Sequence, residues 1–192
     1  TELLNTLGEV LVARGRLSSA ESVFVRAIAA GAQDSLTAAS NLAVLHYERG
    51  DREKAAREFD RFIDIYNARG DFLTSRELAA VALASRYLGG DNPALFKDAL
   101  KAYDRAIAAD PANGDVRAAL GELFLSKYNG SDAQAAFSAA LEVRPLFPRA
   151  LVGAAQRMIA DGEPGADSLI ARALELNPSY VPALVLRARE AM

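Results

Sequence analysis

The chain of 192 residues lacks cysteine and tryptophan, and its single histidine is His46. The absence of cysteine excludes disulfides, thiolate zinc sites and cysteine nucleophiles together. A metal ion would have only His46 and carboxylates as ligands, which is a poor donor set for zinc. We therefore expect neither a metal nor a cofactor, and we interpret His46 as a packed structural residue.

The chain also lacks a basic excess and a long apolar run. Its 22 lysines and arginines are outnumbered by 25 aspartates and glutamates, which gives a formal net charge of -3. This balance does not favour binding to a phosphate backbone, so we expect no nucleic-acid partner. No run of about 18 apolar residues occurs, so we expect no helix that inserts into a membrane.

What the sequence does contain is a repeated order of small and bulky apolar residues, first seen between Leu7 and Ala27. Three sets of positions recur at the same four intervals, which are 35, 44, 34 and 33 residues. They are a small set, Ala20, Ala55, Ala99, Ala133 and Ala166; a bulky set, Phe24, Phe59, Tyr103, Phe137 and Ile170; and a third set, Ala27, Phe62, Ala106, Ala140 and Ala173. A register that is constant in three sets predicts a repeat of about 34 residues.

This order resembles the tetratricopeptide repeat, which carries a Leu-Gly pair, an aromatic residue, Ala, a second aromatic residue, Ala and a closing Pro. The Leu-Gly pair stands here as Leu7-Gly8 and Leu120-Gly121, and Leu4 replaces the family's early tryptophan. The resemblance covers nearly the whole chain. It implies an all-α superhelix, a solenoid of antiparallel helix pairs in which each repeat packs against its neighbours.

On this register we expect a single tetratricopeptide array over residues 1–192. Its repeats span about 1–34, 36–70, 72–112, 114–146 and 147–179, and a terminal helix spans 180–191. The 44-residue interval holds about ten extra residues, of which about seven lie between Tyr66 and Phe72 and about three between Gly89 and Pro93. We interpret them as a loop insertion, which costs little closure entropy; a lip that contacts a partner is the alternative.

The starts and ends of several helices are also predicted. Gly15 and Gly50 are expected to turn the chain between the two helices of the first and second repeats. Three pairs of residues have the spacing of a capping box at the start of a helix: Ser18 with Glu21, Thr74 with Glu77, and Ser131 with Gln134.

In the family that the chain resembles, the first helices of the repeats line a concave groove that holds a peptide. The register places eleven residues on that surface: Asn5, Glu9, Ser40, Asn41, Val44, Tyr47, Val81, Ser85, Leu88, Glu122 and Leu125. Two asparagines on adjacent first helices, Asn5 and Asn41, would donate and accept hydrogen bonds to a peptide backbone. Simple solvation of these amides is the alternative.

The charge of the groove indicates the polarity of its ligand. Members of the family that hold a C-terminal carboxylate use basic residues at positions where Val81 and Ala82 stand here, which argues against a carboxylate clamp. Glu9 and Glu122 instead recur at one register position, which favours a basic or amine-bearing segment.

We therefore expect a scaffold that binds a protein or peptide, belongs to a larger protein and is not an enzyme. No serine is paired with a suitable base, and no glycine-rich phosphate loop follows a strand. An accessory domain that recruits a substrate or partner for a catalytic domain elsewhere in the chain is the alternative. Self-association through the terminal helices is a third hypothesis.

Overall fold

The computed structural model describes residues 2–30, 35–69, 72–89 and 93–190, and these ranges contain eleven α-helices and no strand. The helices are α1 (Glu2–Ala13), α2 (Leu17–Ala29), α3 (Ser35–Glu48), α4 (Arg52–Arg69), α5 (Ser75–Gly89), α6 (Pro93–Ala109), α7 (Gly114–Leu125), α8 (Gly130–Val143), α9 (Pro148–Ala160), α10 (Ala166–Leu176) and α11 (Val181–Glu190). The predicted all-α class is confirmed. None of these described helices combines the length and the apolar character needed to cross a bilayer.

The chain divides into two compact units. Unit 1 is Thr1–Ala109 and contains α1 to α6, whereas unit 2 is Asp110–Met192 and contains α7 to α11. Within each unit every helix contacts the next one along the chain. The first helices of successive pairs also touch, so α1, α3 and α5 form one row, and α7, α9 and α11 form another.

The repeated apolar residues are the packing positions of these helix pairs. Every member of the bulky set, from Phe24 to Ile170, is at most 1% exposed, and every member of the small set is at most 6% exposed. Fully burying one such bulky side chain contributes about 1.5–3 kcal/mol. The regular spacing of these residues in the sequence therefore reflects the packing of one helix pair after another.

Glycine on the first helices allows the aromatic rings to approach closely. A Cβ atom on Gly8 would lie within 3.0 Å of the Phe24 ring, and one on Gly121 would lie within 3.0 Å of the Phe137 ring. Gly153 of α9 meets the same Phe137 ring from the following pair. Phe137 is thus held between two glycine-bearing helices of unit 2.

One of the three predicted capping boxes is confirmed. The backbone N–H of Thr74 donates to Glu77 Oε2 at 2.8 Å, and the backbone N–H of Glu77 donates to Thr74 Oγ1 at 3.3 Å. This reciprocal pair satisfies two N–H groups at the start of α5. The predicted turns are confirmed too, since Gly15 and Gly50 have φ of 70° and 93°.

The other two capping predictions were wrong. Ser18 lies inside α2, which begins at Leu17 and has no side-chain cap. Glu21 is bound instead by His46 of α3 and by Arg49, which directly follows α3. In α8 the cap is Asn129, two residues before Ser131, and its side chain accepts a hydrogen bond from the backbone N–H of Asp132 at 3.3 Å.

The predicted loop insertion after Tyr66 is in large part helix. α4 runs on to Arg69 and has 18 residues, against 13 in α2. The Tyr66 hydroxyl accepts a hydrogen bond from Arg105 of α6 at 2.9 Å, and the Arg105 guanidinium lies 5.3 Å from the Tyr66 ring centroid. The contact between Tyr66 and Arg105 therefore holds the C-terminal end of α4 against α6. The remaining extra positions, 70–71 and 90–92, lie outside the described residues.

Candidate functional site

The predicted groove residues lie on first helices in both units. In unit 1, Asn5 and Glu9 belong to α1, the next four belong to α3, and Val81, Ser85 and Leu88 belong to α5. In unit 2, Glu122 and Leu125 belong to α7. The structure brings together some members of this set and buries others, so it narrows the candidate surface.

Three polar residues of α1 and α3 form one hydrogen-bonded cluster, which we call the amide cluster. Asn5 Nδ2 donates to Glu9 Oε1 at 2.8 Å, within one helix. Asn41 Nδ2 donates both to Glu9 Oε1 at 2.9 Å and to Asn5 Oδ1 at 3.0 Å. Glu9 is exposed and Asn41 is half-buried, so the cluster is open to solvent on one side.

Next to the amide cluster, α3 presents apolar and aromatic side chains. Val44 and Tyr47 are half-buried, one and two turns further along the helix. The Tyr47 ring meets Tyr87 of α5 edge to face, with the centroids 4.7 Å apart, and Arg52 donates to the Tyr47 hydroxyl at 3.2 Å. The sequence reasoning missed Tyr87 and Arg52; Tyr87 immediately precedes the predicted Leu88, which is also half-buried.

Several of the predicted positions are too buried to line a groove. Ser40 of α3 is 3% exposed, and Val81 and Ser85 of α5 are 2% and 1% exposed. These side chains are small or apolar and belong to the packed interior. Asn5 is buried too, at 9% exposed. The accessible set in unit 1 therefore consists of Glu9, Asn41, Val44, Tyr47 and Leu88. We call this set the first-helix face.

In unit 2 the predicted groove carboxylate already has a cationic partner. Arg149 of α9 donates from Nε to Glu122 Oε1 at 2.6 Å and from Nη2 to Glu122 Oε2 at 2.8 Å. This bidentate geometry occupies both carboxylate oxygens. Glu9 and Glu122 share a register position, but among the described residues only Glu122 is paired with an arginine. The sequence pattern did not indicate this difference. Leu125 is half-buried on the same helix.

His46 is buried in a charged cluster between α2, α3 and α4. It is 2% exposed, which confirms its interpretation as a packed residue. Nδ1 lies 2.8 Å from Glu58 Oε2, and Nε2 lies 3.3 Å from Glu21 Oε1 and 2.9 Å from Lys54 Nζ. Arg49 binds the other oxygen of Glu21 at 2.6 Å. The cluster links three helices by charge-assisted hydrogen bonds.

The pKa of Glu21 gives a test of this cluster. The hydrogen bond to His46 lowers it from the ordinary value of 4.5, and Arg49 lowers it further against the opposing effect of burial. A lowered carboxyl pKa stabilises the folded state fully above the ordinary value, and this stabilisation is lost as pH falls through the lowered value.

We therefore expect Glu21→Gln to reduce the free energy of unfolding by about 1 kcal/mol at neutral pH, and by less at an acidic pH well below the ordinary value of 4.5. Urea denaturation at both pH values measures it, with Asp64→Asn, an exposed change on α4, as control. A difference that stays constant down to the acid limit would contradict the role assigned to Glu21.

Within the described ranges, no group of three or more histidine, aspartate or glutamate side chains is arranged to hold a metal ion. The charges of the His46 cluster are balanced by lysine and arginine, which is the arrangement of a structural ion-pair network.

The family follows from the repeat and its packing together with a direct sequence match. The sequence profile of the tetratricopeptide repeat matches residues 5–71 and 95–129, more than half of the chain. The chain therefore belongs to the tetratricopeptide repeat family. No curated protein sequence matches it significantly.

Solved structures share the fold over almost the whole chain. TTC0263, a thermophilic tetratricopeptide repeat protein of Thermus thermophilus, matches with a TM-score of 0.72 and 20% identity over 98% of this chain and 97% of that one. YrrB, described as a tetratricopeptide repeat protein with an unusual peptide-binding site, matches with a TM-score of 0.55 and 16% identity over 96% and 90%. At these identities the likeness concerns the fold.

Proposed function

We propose that this chain is a non-catalytic scaffold that binds a peptide or an extended protein segment on the first-helix face of unit 1. The observation that carries the proposal is the separation of roles along α1 and α3. The repeated apolar residues are buried between the helices. Four residues of the first-helix face are exposed or half-buried and combine polar with apolar side chains: Glu9, Asn41, Val44 and Tyr47.

The first-helix face carries both the polar groups and the apolar side chains that bind a peptide. Polar groups at one end fix the position of a segment by hydrogen bonds, and half-buried apolar and aromatic side chains gain free energy when a ligand covers them. The neighbour YrrB is described as having a peptide-binding site on the same kind of fold, which supports the ligand class in general terms. A scaffold of this kind needs no catalytic group.

The proposal is tested by selecting random short peptides on the immobilised chain and measuring the affinity of the selected peptides by fluorescence anisotropy. Replacing Asn41 and Tyr47 together with alanine is expected to weaken binding about tenfold, because a hydrogen-bonding group and an aromatic surface are lost. Helicity measured by circular dichroism should be unchanged.

Val25→Ala provides the matched control, because Val25 is an exposed apolar residue on the second helix α2. It should leave peptide affinity unaltered. Peptides that bind the double variant of Asn41 and Tyr47 as tightly as the unmodified chain would overturn the assignment to the first-helix face.

A further inference from the structure

We infer that the amide cluster of Asn5, Glu9 and Asn41 receives a cationic side chain, lysine or arginine, from the bound segment. The inference rests on the proposed function and names the chemistry of the partner at one position of the first-helix face. It follows from counting the donors and acceptors in the cluster, and from the counterpart of Glu9 in unit 2.

The orientation of the amides is fixed by Glu9. A carboxylate oxygen can only accept hydrogen bonds, so the Asn5 and Asn41 atoms that face Glu9 Oε1 at 2.8 and 2.9 Å must be the amide nitrogens. Asn41 uses its two amide hydrogens on Glu9 Oε1 and Asn5 Oδ1. Asn41 therefore has no amide hydrogen left to donate to a ligand.

What remains available to a ligand is a set of acceptors. Among the residues that the structure describes, no hydrogen bond reaches Glu9 Oε2 or Asn41 Oδ1, and no lysine or arginine pairs with Glu9. The accessible chemistry is thus a negative charge and a carbonyl oxygen. A carboxylate ligand would meet like charge, whereas an ammonium or guanidinium group carries only donors and fits.

Unit 2 shows which group occupies a carboxylate at this position. Glu9 lies six residues before the left-handed residue Gly15 that ends the turn after α1, and Glu122 lies six residues before the left-handed residue Tyr128 after α7. The carboxylate of Glu122 accepts two hydrogen bonds from the guanidinium of Arg149, which lies on the next first helix, α9.

The corresponding cation is absent from the next first helix of unit 1. Arg149 lies thirteen residues before the left-handed residue Gly162, and thirteen residues before Gly50 stands Thr37. Threonine carries no charge. Glu9 therefore occupies the register position of Glu122 without the intramolecular arginine. Its Oε1 accepts hydrogen bonds from the amides of Asn5 and Asn41 instead, and its Oε2 is left for a basic side chain of the partner.

The test uses the peptides selected on the whole chain. Selected peptides are expected to share a lysine or arginine at one position, and its replacement by glutamine should weaken binding about fivefold or more. Glu9→Gln should weaken the unmodified peptide to a similar extent and should not weaken the glutamine-substituted peptide further. Raising the salt concentration should reduce the affinity of the unmodified chain more than that of Glu9→Gln.

Asp60→Asn, which removes an exposed carboxylate from the second helix α4, is the matched charge control and should leave affinity unchanged. Peptides that depend on Asn41 and Tyr47 but are indifferent to both the basic residue and Glu9→Gln would overturn this inference and leave the proposed function standing. If no selected peptide depends on Asn41 and Tyr47, the proposed function fails, and the inference fails with it.

Discussion

Replacing Phe137 with alanine is expected to lower the free energy of unfolding by about 3–5 kcal/mol. The ring is fully buried and belongs to a core cluster with Ala118 of α7 and with Ala150 and Ala154 of α9. Its removal leaves a cavity that residues of three helices surround, and small alanine side chains cannot fill it. Urea denaturation followed by circular dichroism measures the loss.

Val143→Ala is the matched control for this change. Val143 ends the same helix, α8, but is 37% exposed, so its truncation should cost less than about 1 kcal/mol. A cost for Phe137→Ala as small as that of the control would show that α8 does not pack as described.

Gly153→Ala is expected to destabilise the chain although it removes a glycine from the interior of a helix. The intrinsic helix preference of alanine over glycine contributes about 1 kcal/mol in favour of the variant. A Cβ at this position would lie within 3.0 Å of three atoms of the Phe137 ring, and overpacking of this kind costs about 1–3 kcal/mol. The steric cost should exceed the gain in helix preference, giving a net loss of up to about 2 kcal/mol.

Gly114→Ala and a double-mutant cycle separate the two effects. At Gly114 the nearest heavy atom to an added Cβ is Arg144 Cδ, at 3.3 Å on a flexible side chain, so alanine there should be neutral or stabilising. In a Phe137→Leu background, Gly153→Ala should cost less than in the unmodified chain. An equal cost in both backgrounds would mean that the ring is not the source of the strain.

The packing of the fold is predictable from the sequence because it depends on residue type at fixed intervals. The bulky set from Phe24 to Ile170 and the small set beside it are buried as the register predicts. Each of these side chains contacts residues of its own or an adjacent helix pair, so a local pattern carries the information.

The hydrogen-bond partners of polar side chains at helix starts are less predictable from the sequence. Ser18 and Glu21 have the spacing of a capping box, but Glu21 binds His46 and Arg49, which lie 25 and 28 residues away. A charged partner in a packed cluster competes with a local backbone N–H, and the spacing of two residues does not reveal that competitor. Thr74 and Glu77 keep their capping box.

The candidate site shows the same limit. The register identified Glu9 and Glu122 as equivalent positions, but only the structure shows that Arg149 occupies the second of them. It likewise placed Asn5 and Asn41 on adjacent helices without indicating that their amide donors turn toward Glu9. Helix type and position follow from periodicity, whereas the direction of a polar side chain depends on every neighbour within reach.

His46 is the only histidine in the sequence, and its imidazole touches residues of α2 and α4 while belonging to α3. Its ring protons therefore give a single, unambiguous set of imidazole resonances in a proton NMR spectrum, without selective labelling. Because the ring is buried among three helices, those resonances report directly on whether the helices remain assembled. The chain thus contains an internal spectroscopic probe of the packing of α2, α3 and α4 in unit 1.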